Sequence, residues 1–356
     1  MVSLLLPVLL GLCCGADRVD IVTFNTGLTP RVGHYEERRQ EVGAAIRALD
    51  AEVVCLQEVW YSDDMERILN AAGEDFLFTY SALHNSAGTL GPTPAMDAPC
   101  MTLGFTTEFM PCLMAHCMHA DGEMALLTCA RDTCHLFETL EQPCITCLAL
   151  SGIEHLMSRC VENVGSRFNV PGLLLLSRLP LRHVRMHRFF DGAQFIPRGY
   201  ITAEVEGVGT IACTHTTADL GPPYFAGLEF GSWREQNLAE LRQLVEVLKE
   251  APQAVIMGDL NAGPYIPATH VQPEIQESFW YALRHRYADL FTETMGLCTW
   301  CCYNPLSGAR RNLLLDHVLV RNLTAIAATR VLDNNLPGKT FPASDHFGIR
   351  LTLYRR

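Results

Sequence analysis

Short apolar runs alternate with segments of helical period along most of this chain. Val19–Phe24, Val53–Leu56, Leu173–Leu176, Tyr200–Val205, Thr210–Thr214, Ala254–Met257, Leu315–Val320 and Ile349–Leu353 are brief, rich in aliphatic side chains and bounded by polar or turn-forming residues, so each predicts a strand. Between them, Tyr35–Leu49 repeats Val42, Ile46 and Leu49 at spacings of four and three. A second helix is predicted from about Trp233 to Lys249, with Leu238, Leu241, Leu244, Val245 and Leu248 on one face. Strands alternating with helices predict a layered α/β fold.

One stretch breaks the alternation. From Tyr80 to Val164 the chain passes through a Gly/Pro/Thr-rich linker, Gly88–Pro99, into Met-, Leu- and Cys-rich segments of helical spacing, roughly Glu108–Ala120, Glu123–Leu140 and Pro143–Cys160. Structureless connections beyond about 15 residues are uncommon in compact domains, so this stretch needs its own fold. It predicts a helical insertion over residues 82–164, splitting a catalytic domain formed by 17–81 and 165–356.

Cysteine usage changes the picture of that insertion. Of 15 cysteines, Cys100, Cys112, Cys117, Cys129, Cys134, Cys144, Cys147 and Cys160 crowd into the insertion, and Cys298, Cys301 and Cys302 sit together downstream. Such density predicts disulfides, although eight cysteines allow 105 pairings and the connectivity is not legible. Zinc bound by Cys144, Cys147, His135 or His155 is the competing reading. Cys55 and Cys213, inside apolar strand runs, are expected to be buried free thiols. Export agrees with disulfides: Val2–Cys14 is apolar, uncharged and followed by Gly15 and Ala16, which predicts a cleaved signal peptide over residues 1–16. A buried first strand is the alternative for that run.

Composition narrows the partners. With 49% hydrophobic residues the chain has ample material for a core, which excludes a disordered class. Its 27 basic against 39 acidic residues leave a net charge of −12, and Lys249 and Lys339 are its two lysines, which disfavours a broad nucleic-acid-binding face. A soluble, exported, monomeric protein is the expectation.

The candidate chemistry lies at strand ends, where α/β sheets build sites. Val19–Phe24 delivers Asn25, and Val53–Leu56 delivers Gln57 and Glu58. Thr210–Thr214 delivers His215, Ala254–Met257 delivers Asp259 and Asn261, Leu315 precedes Asp316, and Ser344-Asp345-His346 precedes the last strand. Carboxylate and amide oxygens suit Mg²⁺, and two histidines suit a hydrolysis in which water attacks and an alkoxide leaves. Phosphoester hydrolysis follows from these residue types.

Phe24-Asn25, Gln57-Glu58-Val59, Gly258-Asp259-Leu260-Asn261, Leu315-Asp316-His317-Val318-Leu319-Val320 and Ser344-Asp345-His346, in that order, resemble the signature of the endonuclease/exonuclease/phosphatase superfamily. The resemblance implies a four-layered α/β sandwich of the deoxyribonuclease I type with a Mg²⁺ site at one rim. It further implies Glu58 as main metal ligand with Asn25 assisting and Asp345 beside the metal. Asp259 and Asn261 would handle the phosphate and the attacking or leaving oxygen, Asp316 would orient His346 as general base, and His215 would stabilise or protonate the leaving oxygen. His317 departs from the Tyr or Arg of many members, which puts leaving-group contacts there in doubt.

Gln57-Glu58-Val59-Trp60, Gly172–Leu181, Arg198-Gly199 and Thr299-Trp300 with Asn304-Pro305 are similar to neutral Mg²⁺-dependent sphingomyelinases. That implies a phospholipase C-type reaction on a phospholipid, sphingomyelin or a lysophospholipid, at a membrane or micelle surface. A secreted deoxyribonuclease I-like nuclease is the alternative enzyme, and a lipid- or receptor-binding protein the non-enzymatic one. Aromatic residues Phe189, Phe190, Phe195, Tyr224, Phe225 and Trp300, and Met110, Met114, Met118, Met124 and Met157 of the insertion, are candidates for lipid contact or for ordinary core.

Overall fold

A computed structural model describes residues 18–84, 98–152, 155–162 and 168–355; the predicted signal peptide lies outside these residues. In chain order the strands are β1 (Arg18–Leu28), β2 (Val53–Val59), β3 (Phe78–Ser81), β4 (Leu174–Ser177), β5 (Leu181–Arg188), β6 (Gly199–Val205), β7 (Gly209–His215) and β8 (Ala254–Asp259). They continue with β9 (Val271–Gln272), β10 (Asn312–Leu313), β11 (Asp316–Arg321), β12 (Ala325–Val331) and β13 (Gly348–Tyr354). One sheet has the order β12-β13-β1-β2-β4-β3 and the other β11-β8-β7-β6-β5. Within them β1 pairs with β2, and β7 with β8, in parallel; the other pairings are antiparallel.

Alternation of side chains across the pleat generates the layers. On β1 and β2, Ile21, Val53 and Cys55 face inward onto Ile211, Cys213, Val255 and Met257 of the second sheet. Their neighbours Val22, Phe24, Val54 and Leu56 face outward, against Val42 and Ile46 of the helix Tyr35–Arg47 and Met65 and Ile68 of the helix Ser62–Ala72. On the far side, Ala212, Ile256 and Leu319 pack against Leu241, Leu244 and Val245 of the helix Trp233–Val247 and Phe279 of the helix Gln276–Arg284. Helix, sheet, sheet, helix: the fold is the expected four-layered sandwich. The helix Trp233–Val247 starts where predicted because Ser232 caps it, its side chain accepting from Glu235 N, while Glu235 reaches back to Gly231 N.

The thiol expectation for Cys55 and Cys213 is corrected. They form a disulfide, Cα atoms 5.5 Å apart, that stitches β2 of one sheet to β7 of the other through the middle of the sandwich. Two inward-facing cysteines on opposed sheets meet at the right separation, information a strand-by-strand reading lacks. The eight insertion cysteines pair among themselves as Cys100–Cys144, Cys112–Cys134, Cys117–Cys129 and Cys147–Cys160, which removes the zinc ligands Cys144 and Cys147. Cys298 pairs with Cys301, leaving Cys302 free and exposed.

The insertion connects β3 to β4 and is helical, as expected, but shorter-pitched in its details: Glu123–Asp132 and Gln142–Ser151 are α-helical, whereas Gly104–Phe109, Leu113–Cys117 and Met157–Val161 are π-helical turns. Its small core gathers Phe105, Phe109, Leu136 and Ile145 around the disulfides, and closes over Phe195, Phe225 and Trp233 from loops of the sandwich. Those aromatic residues are therefore packing, not exposed tips: Phe189, Phe195 and Phe225 are all buried. Met114, Met118 and Met157 are exposed, together with Leu103. No helix among the described residues is long and apolar enough to cross a membrane.

Candidate active site

One rim of the sandwich collects the polar strand ends because the parallel pairs β1–β2 and β7–β8 finish there while antiparallel β11 and β13 begin there. In the second sheet His215, Asp259 and Asp316 form one cross-strand row, His215 opposite Asp259 and Asp259 opposite Asp316. The first sheet contributes Asn25 and Glu58, and the turn into β13 contributes Ser344, Asp345 and His346. All eight residues predicted for the site are brought to this rim.

Hydrogen bonds fix most of them. Asn25 Nδ2 donates to Asp259 Oδ2 at 2.9 Å and to Glu58 Oε1 at 3.2 Å, joining the two sheets, and Asn25 Oδ1 accepts from Gly27 N. Asp259 Oδ1 accepts from Asn261 N at 2.9 Å, and Asn261 Nδ2 donates to Thr216 O. His346 Nδ1 lies 2.8 Å from Asp316 Oδ2, so the ring donates there and turns Nε2 toward Asp259, 3.9 Å away. Glu58 and Asn261 both hold left-handed backbone (φ 59° and 47°), a conformation rare for such residues and tolerated here by their surroundings. Gly258, at φ 156°, sits where an added Cβ would lie 1.9 Å from Thr214 O, so glycine is what allows β8 this close to β7.

His215 is set by a residue that the sequence reading quoted without a role. Arg198 Nη1 lies 2.8 Å from His215 Nδ1. A guanidinium has no acceptor, so Nδ1 must accept and the neutral ring carries its proton on Nε2, which stands between the Asn261 side-chain amide at 3.2 Å and Asp259 Oδ2 at 3.4 Å. Burial, then the positive charges of Arg198 and His346, hold His215 well below the usual histidine range. His346 goes the other way: burial alone would lower it, but Asp316, Asp259 and Asp345 together raise it well above that range. Burial and Asp316 push Asp259 up to about 7, and burial with the nearby Asp345 raises Glu58. The signal for Arg198 was weak in the sequence, a single arginine before a strand. Glu240, which was not singled out, accepts from Thr217 N and Thr217 Oγ1 beneath the same site and is pushed up to about 7 by burial.

His317 takes no part. It is fully buried, 2.7 Å from Asp289 Oδ2 and 2.8 Å from Ala262 O, and ties the start of the helix Leu290–Thr294 to β11.

The donor set fits a divalent cation. Asp345 stands near Glu58 and raises its cost of ionisation, Gly27 stands so close that an added Cβ would lie 2.3 Å from Asp345 Oδ1, and Asp316 Oδ1 is buried without a hydrogen-bond partner among the described residues. Hard, negatively charged oxygens in surplus are what Mg²⁺ or a similar ion satisfies. Asp259, Asp316 and His346 form a second candidate cluster, with one ligand atom of each within 4.8 Å of the others. Above these groups opens a cleft of about 730 Å³ lined by Glu58, Arg198, His215, Asp259, Trp300 and Arg311, among others.

A two-sheet sandwich with carboxylates and histidines on this rim defines a phosphoesterase-like hydrolase. Residues 22–346 match the Endonuclease/Exonuclease/phosphatase family, and the chain belongs to it. Solved structures of similar fold include an endonuclease/exonuclease/phosphatase from Beutenbergia cavernae (16% identity, 95% of this chain and 72% of that one, TM-score 0.52). Beta toxin from Staphylococcus aureus (13% identity, 94% and 99%, TM-score 0.53) and TDP2 from Caenorhabditis elegans (12% identity, 95% and 75%, TM-score 0.51) are also similar. A beta-toxin structure with bound magnesium ions (13% identity, 96% and 100%, TM-score 0.52) and sphingomyelinase C from Streptomyces griseocarneus (14% identity, 94% and 99%, TM-score 0.50) share the fold. No curated protein matches the sequence.

Proposed function

We propose that this protein is an exported, Mg²⁺-dependent phosphodiesterase that hydrolyses a phospholipid in a phospholipase C-type reaction. The observation that carries the reading is the pair of buried histidines flanking Asp259, His215 at 3.4 Å and His346 at 3.9 Å, with opposite proton biases. Such a pair sets a ring that binds a proton strongly, His346, opposite a ring that stays neutral and donates a hydrogen bond, His215. Glu58, with Asn25 and Asp345, would hold Mg²⁺, which when bound polarises the phosphate and offsets the carboxylate field around His346.

The chain's own residues do the rest. Asp316 holds His346 so that Nε2 faces the cleft and takes a proton from the attacking water. The water oxygen bonds to phosphorus, the P–O bond to the lipid alcohol breaks, and the neutral His215 donates a hydrogen bond from Nε2–H to the departing oxygen, which takes up a proton from solvent, with Arg198 keeping the tautomer. Asn261 and Asp259 orient the phosphate. The products are a lipid alcohol and a phosphorylated head group.

A lipid substrate is supported by the insertion, whose apolar helices stand against Glu58 and Arg198, and by the sphingomyelinase among structures of similar fold. A net charge of −12 argues against a nucleic-acid substrate. Six disulfides argue for folding in an oxidising compartment, in line with export. The test incubates the purified protein with sphingomyelin, lysophosphatidylcholine and plasmid DNA, with Mg²⁺ or a chelator. Head-group release that needs Mg²⁺ and vanishes in Glu58→Gln is expected. DNA nicking without head-group release refutes the proposal.

A further inference from the structure

Beside the polar cleft lies a second cavity of about 320 Å³. Its walls are largely apolar and come from both parts of the molecule, Met124, Leu127 and Leu150 from the insertion and Trp60, Ile196 and Phe225 from the sandwich, with Thr29 and Arg31 as the polar groups away from the catalytic side. Glu58, Arg198 and Leu220 border this cavity and the catalytic cleft alike, so the two spaces meet at the groups that would hold the phosphate. Leu220 is 47% exposed, although it stands at this junction. Trp60 is 1% exposed and its indole Nε1 has no hydrogen-bond partner among the described residues.

We infer that this chamber binds a single hydrocarbon chain of the substrate, so that the enzyme selects single-chain phospholipids of the lysophospholipid type. The inference rests on the phospholipid reading above and deepens it. A largely apolar space accepts an apolar ligand; a cavity of about 150 Å³ takes six-carbon benzene, so this one holds roughly a dozen carbons, the length of one chain and not two. Its place explains the commitment to the substrate itself: a chain seated there is covalently continuous with a phosphate at Arg198 and Glu58. Because Met124 and Leu127 lie on the helix Glu123–Asp132, held through Cys117–Cys129, the disulfides of the insertion set the chamber's width. The chamber is a specificity element, since binding energy of a remote chain supports the chemical step only if the chain is seated.

The test uses the whole protein and single-chain glycerophosphocholines with 4 to 16 carbons, each held below its micelle concentration. Each added methylene should raise kcat/KM roughly fourfold, as burial of a CH₂ does, until about twelve carbons, where the gain should stop. In Leu127→Trp, which fills the chamber, the ratio of kcat/KM for the dodecyl to the butyl substrate should fall at least tenfold; Met124→Trp, one helical turn away on the same wall, provides the same readout should the first variant not fold. A ratio equal to wild type in the folded variant, or rates that keep rising from twelve to sixteen carbons as steeply as before, overturns the inference. Calorimetric binding of monomeric dodecylphosphocholine to the Glu58→Gln protein separates the two proposals. Binding that adding Leu127→Trp abolishes, together with a wild-type protein that hydrolyses no diester, keeps the chamber and overturns the enzymatic reading; no binding overturns the chamber whatever the activity.

Discussion

Replacing both cysteines of the Cys55–Cys213 bridge by alanine removes the covalent link between the two sheets. The effect follows from the chain path that the bridge closes. Cys55 and Cys213 are 158 residues apart, but Cys100–Cys144 and Cys147–Cys160 cut across that loop, leaving roughly 100 residues of open path. A closed loop of that length restricts the unfolded chain by about 4.7 kcal/mol. By contrast Cys298–Cys301, three residues apart, accounts for about 2 kcal/mol at most by the same relation. In urea, with a slope near 3 kcal/mol/M, Cys55→Ala/Cys213→Ala should lower the unfolding midpoint by about 1.5 M, and Cys298→Ala/Cys301→Ala by less than half of that. Function should follow, since the bridge lies three residues before Glu58 and two before His215, and each sheet supplies half of the site. Midpoints shifted equally by the two double variants, or unshifted in the first, would refute the reasoning that the bridge acts through the length of the loop it closes.

Other outcomes test the site directly. His346→Ala and His215→Ala should each lower kcat by about 10²–10⁴-fold with unchanged circular dichroism, the usual worth of a positioned acid or base; near-full activity in either removes its assigned role. Gly27→Ala places a Cβ 2.3 Å from Asp345 Oδ1 in left-handed backbone (φ 53°), so Asp345 must move by about an ångström and activity should fall on the order of 10²-fold, with weaker Mg²⁺-induced thermal stabilisation. Glu240 is raised to about 7 in the fold against about 4.5 unfolded, so its ionisation opposes folding above pH 7 and ceases to do so as pH falls through 4.5. Relative to Glu240→Gln, the wild type should therefore lose on the order of 3 kcal/mol of stability between pH 4.5 and pH 8; parallel stability profiles contradict this.

Much of the catalytic rim was legible because each of its residues follows a strand whose apolar run is long enough to recognise. Asn25, Glu58, His215, Asp259 and Asp316 stand at ends of β1, β2, β7, β8 and β11, and the periodicities placed those strands within a few residues. β5 was not recognised: Arg182, Arg185 and Arg188 are exposed and hide its apolar face in the sequence, and pairing with β6 makes the segment an edge strand. The short edge strand β3 and the outer strand β12 escaped for the same reason, since edge strands are specified by a neighbour more than by their own pattern.

What the linear order determined, then, was local: which segments bury one face, where each ends, and which chemical group each end carries. What only the tertiary structure decided concerns pairs of segments. The 158-residue bridge from Cys55 to Cys213, the Arg198 guanidinium on His215, the cross-strand row of His215, Asp259 and Asp316, and the meeting of Met124 and Leu127 with Trp60 all depend on strand register and sheet packing. Strand periodicity says which face a side chain takes, whereas the partner opposite that face is fixed by the packing of two sheets, which brings together residues far apart in the chain.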